Sequence, residues 1–146
     1  MGTFIIVDDD FCVRYLIAAT LKYAGHEVLA ETDNAESALL FLGAGKVPDV
    51  IVLDMVLPGT PGYDVVERLR ESHGSVKIVM CTGLNEEKVL KLLPRGGYDA
   101  YIQKPFKSEE FLARIGALLP GAAPPAAHPP PARPPKDCLP PEEPPE

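Results

Sequence analysis

A chain of 146 residues, 46% of them hydrophobic, has room for one domain with a sizeable core and is short for two of ordinary size. Its formal net charge of −7 and the lack of any Lys/Arg cluster argue against direct binding of nucleic acid, which needs a basic surface to neutralise phosphates. The first apolar run, Phe4–Val7, ends in three aspartates rather than a cleavage site, Ile6 stands where a myristoylation motif wants Ser or Thr, and no stretch is apolar for long enough to span a bilayer, so a cytoplasmic protein with no membrane partner is expected.

Apolar runs and helical periodicities alternate along the first 119 residues, the pattern of repeated strand–helix units around a parallel sheet. Thr3–Val7 reads as a buried strand. Asp10 can cap a helix whose inward face is Phe11, Tyr15, Ala18, Ala19 and the stem of Lys22, with Gly25 as its stop. A short strand follows at His26–Ala30, then a helix at Asn34–Leu42 with Ala35, Ala38, Leu39 and Leu42 inward. Val50–Leu53 is the most uniformly apolar segment and is therefore expected to be a central strand, covered on both faces. Gly62–Glu71 is read as a helix, Lys77–Cys81 as a strand, Asn85–Leu93 as a helix ended by Pro94 and the glycines after it, and Ala100–Gln103 as the fifth strand. Ser108 can cap a last helix whose apolar face is Phe111, Leu112, Ile115, Leu118 and Leu119. Five right-handed units of this kind make a doubly wound α/β domain over residues 1–119. Twelve of the 17 prolines fall in residues 120–146, a tract without apolar periodicity that is expected to be a disordered tail or linker. The three cysteines, Cys12, Cys81 and Cys138, have neither CxxC spacing nor nearby histidines, and reduced thiols are expected.

In such a sheet ligands bind at the carboxyl ends of the strands, beside the point where strand order reverses. Asp8, Asp9 and Asp10 follow the first strand, Asp54 the third, Thr82 the fourth and Lys104 the fifth. Acids crowded at one sheet edge repel, and a hard divalent cation with oxygen ligands relieves that repulsion; Mg2+ suits best, since it keeps positions for water and phosphate. Asp54 closes a strand ahead of a Pro-Gly turn, so it is expected to be held in a fixed, exposed position as a nucleophile for phosphorus. Lys104 can pair with added phosphoryl oxygens and Thr82 can donate to one. Asp10 is read as a helix cap only.

The segments IIVDDD (Ile5–Asp10), LDMVLPG (Leu53–Gly59) with Gly62 after it, VMCTG (Val79–Gly83) and KPF (Lys104–Phe106) come in an order that resembles the receiver domain of two-component response regulators, the chemotaxis-regulator type included. That resemblance implies a flavodoxin-like (βα)5 domain with strand order 2-1-3-4-5. It also implies Asp54 as the phosphoacceptor, Asp8 and Asp9 as metal-associated acids with Asp9 a direct ligand, and the Val56 backbone carbonyl as a third protein ligand of Mg2+. Thr82 becomes the switch hydroxyl, Tyr101 the switch aromatic, Lys104 the phosphoryl partner ahead of a cis Lys–Pro bond, and Val56 and Leu84 the positions that border the approach of hydrolytic water. The implied partners are a histidine kinase or phosphotransfer protein and an unknown output protein on the face of the fourth helix, fifth strand and fifth helix, with a phosphorylation-dependent dimer as a further expectation. On this reading the protein is not an enzyme beyond its own phosphorylation and dephosphorylation.

Departures from the family pattern lie away from the phosphorylation chemistry. Pro61 replaces a frequent acid and Tyr98-Asp99-Ala100 a commoner Ala-Asp-Asp, so the loop before the fifth strand is expected to be shaped differently. Haloacid-dehalogenase-like phosphatases also have an aspartate nucleophile after a strand, but need an acid two residues on, where this chain has Val56. A flavin carrier would want a Ser/Thr/Gly-rich phosphate loop after the first strand, where this chain has aspartates. The alternative kept is a non-phosphorylated, receiver-like interaction module.

Overall fold

The computed structural model of the chain describes residues 2–93 and 97–119. The elements alternate: β1 Thr3–Val7, α1 Phe11–Tyr23, β2 Glu27–Thr32, α2 Ala35–Gly43, β3 Val50–Leu53, α3 Gly62–Ser72, β4 Lys77–Thr82, α4 Glu86–Leu92, β5 Ala100–Gln103 and α5 Ser108–Leu118. The five strands form one parallel sheet in the order β2-β1-β3-β4-β5, as expected for a flavodoxin-like doubly wound domain. The Pro-rich tract and Pro94 lie outside the described residues. No helix of the described residues is long and apolar enough to cross a membrane.

Successive strand residues face opposite sides of a sheet, and the three inner strands use that alternation to feed two cores. Ile5 and Val7, Ile51 and Leu53, and Ile78 and Met80 pack on one side, beneath α2, α3 and α4 through Ala38, Leu42, Val65, Leu69 and Val89. Phe4 and Ile6, Val50 and Val52, and Val79 and Cys81 pack on the other, beneath α1 and α5 through Ile17, Leu21, Phe111 and Ile115. All four residues of β3 are buried, which is why its sequence is continuously apolar rather than alternating.

Caps set most of the helix starts. Asp10 Oδ1 accepts from the N–H groups of Cys12 (2.9 Å) and Val13 (3.3 Å), and Asn34 and Asn85 cap α2 and α4 in the same manner. Ser108, expected as a cap, is the first residue of α5; its hydroxyl oxygen accepts from Thr20 Oγ1 of α1 at 3.4 Å, and Lys107 in the cap position makes no side-chain bond. The inward face of α1 also differs from the expected one. Ile17, Ala18, Thr20 and Leu21 are buried, while Phe11 is 54% exposed, its ring facing the Arg14 guanidinium.

Arg70, near the end of α3, knots three segments together. Its guanidinium donates to the carbonyls of Gly97 (2.7 Å), Gly74 (3.1 Å) and Val76 (2.9 Å), and pairs with Asp99 at 2.8 Å. The same Asp99 oxygen accepts from the Ile78 N–H at 2.8 Å. The unusual Tyr98-Asp99-Ala100 entry to β5 is thereby tied to α3 and to the start of β4.

Candidate functional site

The site lies where the inner strands end. Ladder bonds run past the ends of β1, β3 and β5: Asp8 N–H donates to Thr32 C=O, Asp54 N–H to Val7 C=O and Lys104 N–H to Thr82 C=O, at 3.0, 3.0 and 2.8 Å. Backbone pairing thus fixes Asp8, Asp54 and Lys104 before any side chain interacts. The Arg14 guanidinium donates to the Asp8 carbonyl at 2.6 Å, an anchor that sequence reasoning missed because nothing in the spacing of Arg14 signals it.

Asp8 and Asp54 are held alike. One oxygen of each accepts from the backbone N–H two residues on, Asp10 for Asp8 and Val56 for Asp54, at 2.9 and 3.0 Å. The other oxygen of each accepts from the Lys104 ammonium, at 2.9 Å for Asp54 and at closer range for Asp8. The Lys104-Pro105 peptide bond is cis. Asp9 is exposed, but carboxylate oxygens of Asp8, Asp9 and Asp54 all lie within 4.8 Å of one another. Contrary to expectation Asp54 is buried, at 5% exposure, with the Val56 N–H and the Lys104 ammonium on its carboxylate and Gly62 packed on its carbonyl; Asp8 is buried more deeply still.

Burial raises the Asp8 carboxyl above the ordinary carboxylate range, against the lowering pull of the Lys104 hydrogen bond. For Lys104 burial acts downward, and the two carboxylates together outweigh it and raise its pKa. A buried pair of carboxylates sharing one ammonium is a harness for positive charge. Three hard oxygen donors this close, one of them open to solvent, match the ligand preference of a divalent cation such as Mg2+.

Thr82 and Tyr101 meet at one residue. The Thr82 hydroxyl oxygen accepts from the Leu84 N–H at 3.4 Å, and the Tyr101 hydroxyl donates to the Leu84 carbonyl. Thr82 is buried and Tyr101 half-buried. Val56 is 58% exposed, and Leu84 is half-buried. Cys81 is a free, buried thiol whose pKa burial pushes up to about 12, so it is inert. Cys138 lies outside the described residues. Gly62, at the start of α3, packs so tightly that a Cβ there would stand 2.3 Å from the Asp54 carbonyl oxygen and 2.9 Å from Met55 Cα.

The profile of the response regulator receiver domain matches residues 4–116. The phosphate regulon transcriptional regulatory protein PhoB of Pseudomonas aeruginosa is 39% identical over 126 residues, which cover 84% of this chain and 53% of PhoB. The DNA-binding dual master transcriptional regulator RpaA of Synechocystis is 35% identical, over 82% of this chain and 49% of RpaA. Among solved structures, a response regulator of Chloroflexus aurantiacus superposes with a TM-score of 0.72 at 29% identity, covering 80% of this chain and 96% of its own. The BeF3-activated DrrB receiver domain does so with 0.70 at 26%, covering 81% and 97%. The chain spans about half the length of the curated relatives it matches. The expectation of no nucleic-acid partner rests on the charge of this chain and does not carry to the parts of those regulators that it does not span.

Proposed function

The chain belongs to the receiver-domain family of two-component response regulators, and from that premise we propose that Asp54 accepts a phosphoryl group from a histidine kinase or phosphotransfer protein and so switches protein contacts. The observation that carries the reading is the convergence of Asp8, Asp9 and Asp54 within 4.8 Å, with the Lys104 ammonium bonded to two of them.

A carboxylate oxygen of Asp54 attacks the phosphorus of a phosphohistidine; the new P–O bond forms as the P–N bond breaks, and the imidazole leaves with a proton from solvent. Backbone hydrogen bonding to Val56 N–H orients the Asp54 carboxylate before attack, so little reorganisation is needed. The carboxylates of Asp8, Asp9 and Asp54 and the Val56 carbonyl would hold Mg2+, which when bound offsets the negative charge of the transferring group. Lys104 pairs with phosphoryl oxygens on the product, and the Thr82 hydroxyl turns to donate to one of them. Because the Leu84 backbone bonds both Thr82 and Tyr101, a turn of Thr82 releases one end of that bridge and lets Tyr101 move inward. The face formed by α4, β5 and α5, where Leu90 and Leu92 are exposed, carries the change to the output partner and can support a phosphorylation-dependent dimer. On this reading the protein works in the cytoplasm and acts as a catalyst only on itself.

The test is phosphorylation by acetyl phosphate with magnesium, read by intact mass. One adduct is expected, lost with Asp54→Asn or on chelation; labelling that survives Asp54→Asn would sink the assignment. A wild-type protein that takes no label but still binds its partner would favour a non-phosphorylated module.

A further inference from the structure

Residues 55–61, between β3 and α3, carry the Val56 carbonyl, and the way they are held bears on the site. Met55 and Leu57 are buried, whereas Val56, Pro58 and Gly59 are exposed. Two hydrogen bonds close the segment on its neighbours in sequence, Val56 N–H to Asp54 Oδ1 at 3.0 Å and Gly62 N–H to Met55 C=O at 3.3 Å. A third attachment comes from another element. Glu36, in the first turn of α2, accepts from the Thr60 N–H at 3.2 Å and, at closer range, from the Thr60 hydroxyl, both at Oε1. Gly59 has a φ of +76°, and a Cβ there would sit 3.4 Å from the same oxygen, so the tip of the loop lies directly against the carboxylate.

From this geometry we infer that Glu36 is a positioning residue for the Asp54 site: by holding Thr60 it fixes the segment that presents the Val56 carbonyl, and so sets the affinity for magnesium. The inference rests on the phosphoacceptor reading for its consequence, not for the latch itself. The Thr60 hydroxyl also holds the Glu36 carboxyl below its usual pKa, as a charged acceptor would be held. Both donors use one oxygen, so the chemistry asks for an acceptor at Oε1 and not for a negative charge. A glutamine can serve; an alanine cannot.

The experiment compares the full chain with Glu36→Ala, Glu36→Gln and Thr60→Val. In metal-free protein, amide hydrogen exchange at residues 56–60 should accelerate about ten-fold in Glu36→Ala and return close to wild type in Glu36→Gln. The midpoint of a magnesium titration followed by NMR should rise by about ten-fold in Glu36→Ala, the low end of the loss seen when partners behind a metal ligand are removed, and recover in Glu36→Gln. Thr60→Val should fall between, since its N–H remains. Phosphorylation by acetyl phosphate should slow at low magnesium and approach the wild-type rate at saturation. Unchanged exchange in Glu36→Ala would overturn the latch, and faster exchange with an unchanged magnesium midpoint would overturn its role at the site. A wild type that takes no phosphoryl group, with the exchange and magnesium effects intact, would refute the phosphoacceptor reading and leave the latch standing.

Discussion

Lys104 lies 96 residues from Asp8 and 50 from Asp54 along the chain, yet its one ammonium bonds both carboxylates, standing 2.9 Å from Asp54 Oδ2. The pairing neutralises half of a buried double charge and holds the place that phosphoryl oxygens are proposed to take. Removing it while both carboxylates stay should leave buried negative charge without a partner. Lys104→Met is therefore expected to lose about 3 kcal/mol in chelator, the lower range for breaking a buried pair. Magnesium should raise the melting temperature of the variant more than that of wild type, since no ammonium competes for the oxygens. Thermal melts with and without magnesium check both; equal increments would mean that Lys104 and the cation do not share those oxygens.

The lifetime of the phosphorylated state should depend on Val56 and Leu84. Neither side chain can hydrogen-bond a water, so a hydrolytic water must find its line of attack without help. Replacing Val56 by Asn and Leu84 by Glu should speed loss of phosphate by about ten-fold, equivalent to about 1.4 kcal/mol in barrier. Decay after removal of acetyl phosphate measures it, and an unchanged rate in the double variant rejects these positions as the timer.

Gly62→Ala should be among the most damaging single-methyl changes in the chain. The added carbon would meet backbone atoms at 2.3 and 2.9 Å, and backbone cannot turn aside as a side chain can. A loss of about 3 kcal/mol in urea unfolding is expected, the upper end for overpacking. A loss under about 1 kcal/mol would show that the start of α3 shifts freely.

Acid should weaken the fold through His26. Its Nδ1 accepts from the Gly2 N–H at 3.0 Å, its ring packs edge-on to Phe4, and burial keeps its pKa below the usual histidine value. A proton on Nδ1 removes the acceptor. The unfolded chain binds that proton more readily than the folded one, so stability should fall as pH drops from about 6.5 through the lower folded value. Urea titrations of wild type and His26→Gln at pH 7.5 and 5.5 test this; the advantage of wild type should shrink at the lower pH.

Much of this was legible in the sequence, for identifiable reasons. The bounds of β3 and β5 agree with the strands read at Val50–Leu53 and Ala100–Gln103. Asp8, Asp54, Thr82 and Lys104 could be placed at one edge because a parallel sheet brings its strand ends together whatever the loops do. Contacts made by side chains across the fold were not legible. Phe11 reads as core until its ring is seen against the Arg14 guanidinium at the surface. Ser108 reads as a cap until Thr20 is seen to engage it. The grip of Glu36 on Thr60 and of Arg70 on Asp99 joins residues whose separation carries no period and no motif.

The knot at Arg70 divides the molecule in another respect. It fastens the entry to β5, while α4 is a seven-residue helix in which Val89 is the one buried residue, followed by a buried C-cap, Leu93. Opening α4 would surrender little packing and leave β4 and β5 in register, so its amides should exchange sooner than those of the strands on either side. A lineage can therefore rewrite the outward residues of α4 at small expense to the rest of the fold. Output partners proposed to dock on that face can then change while the residues at the strand ends stay as they are.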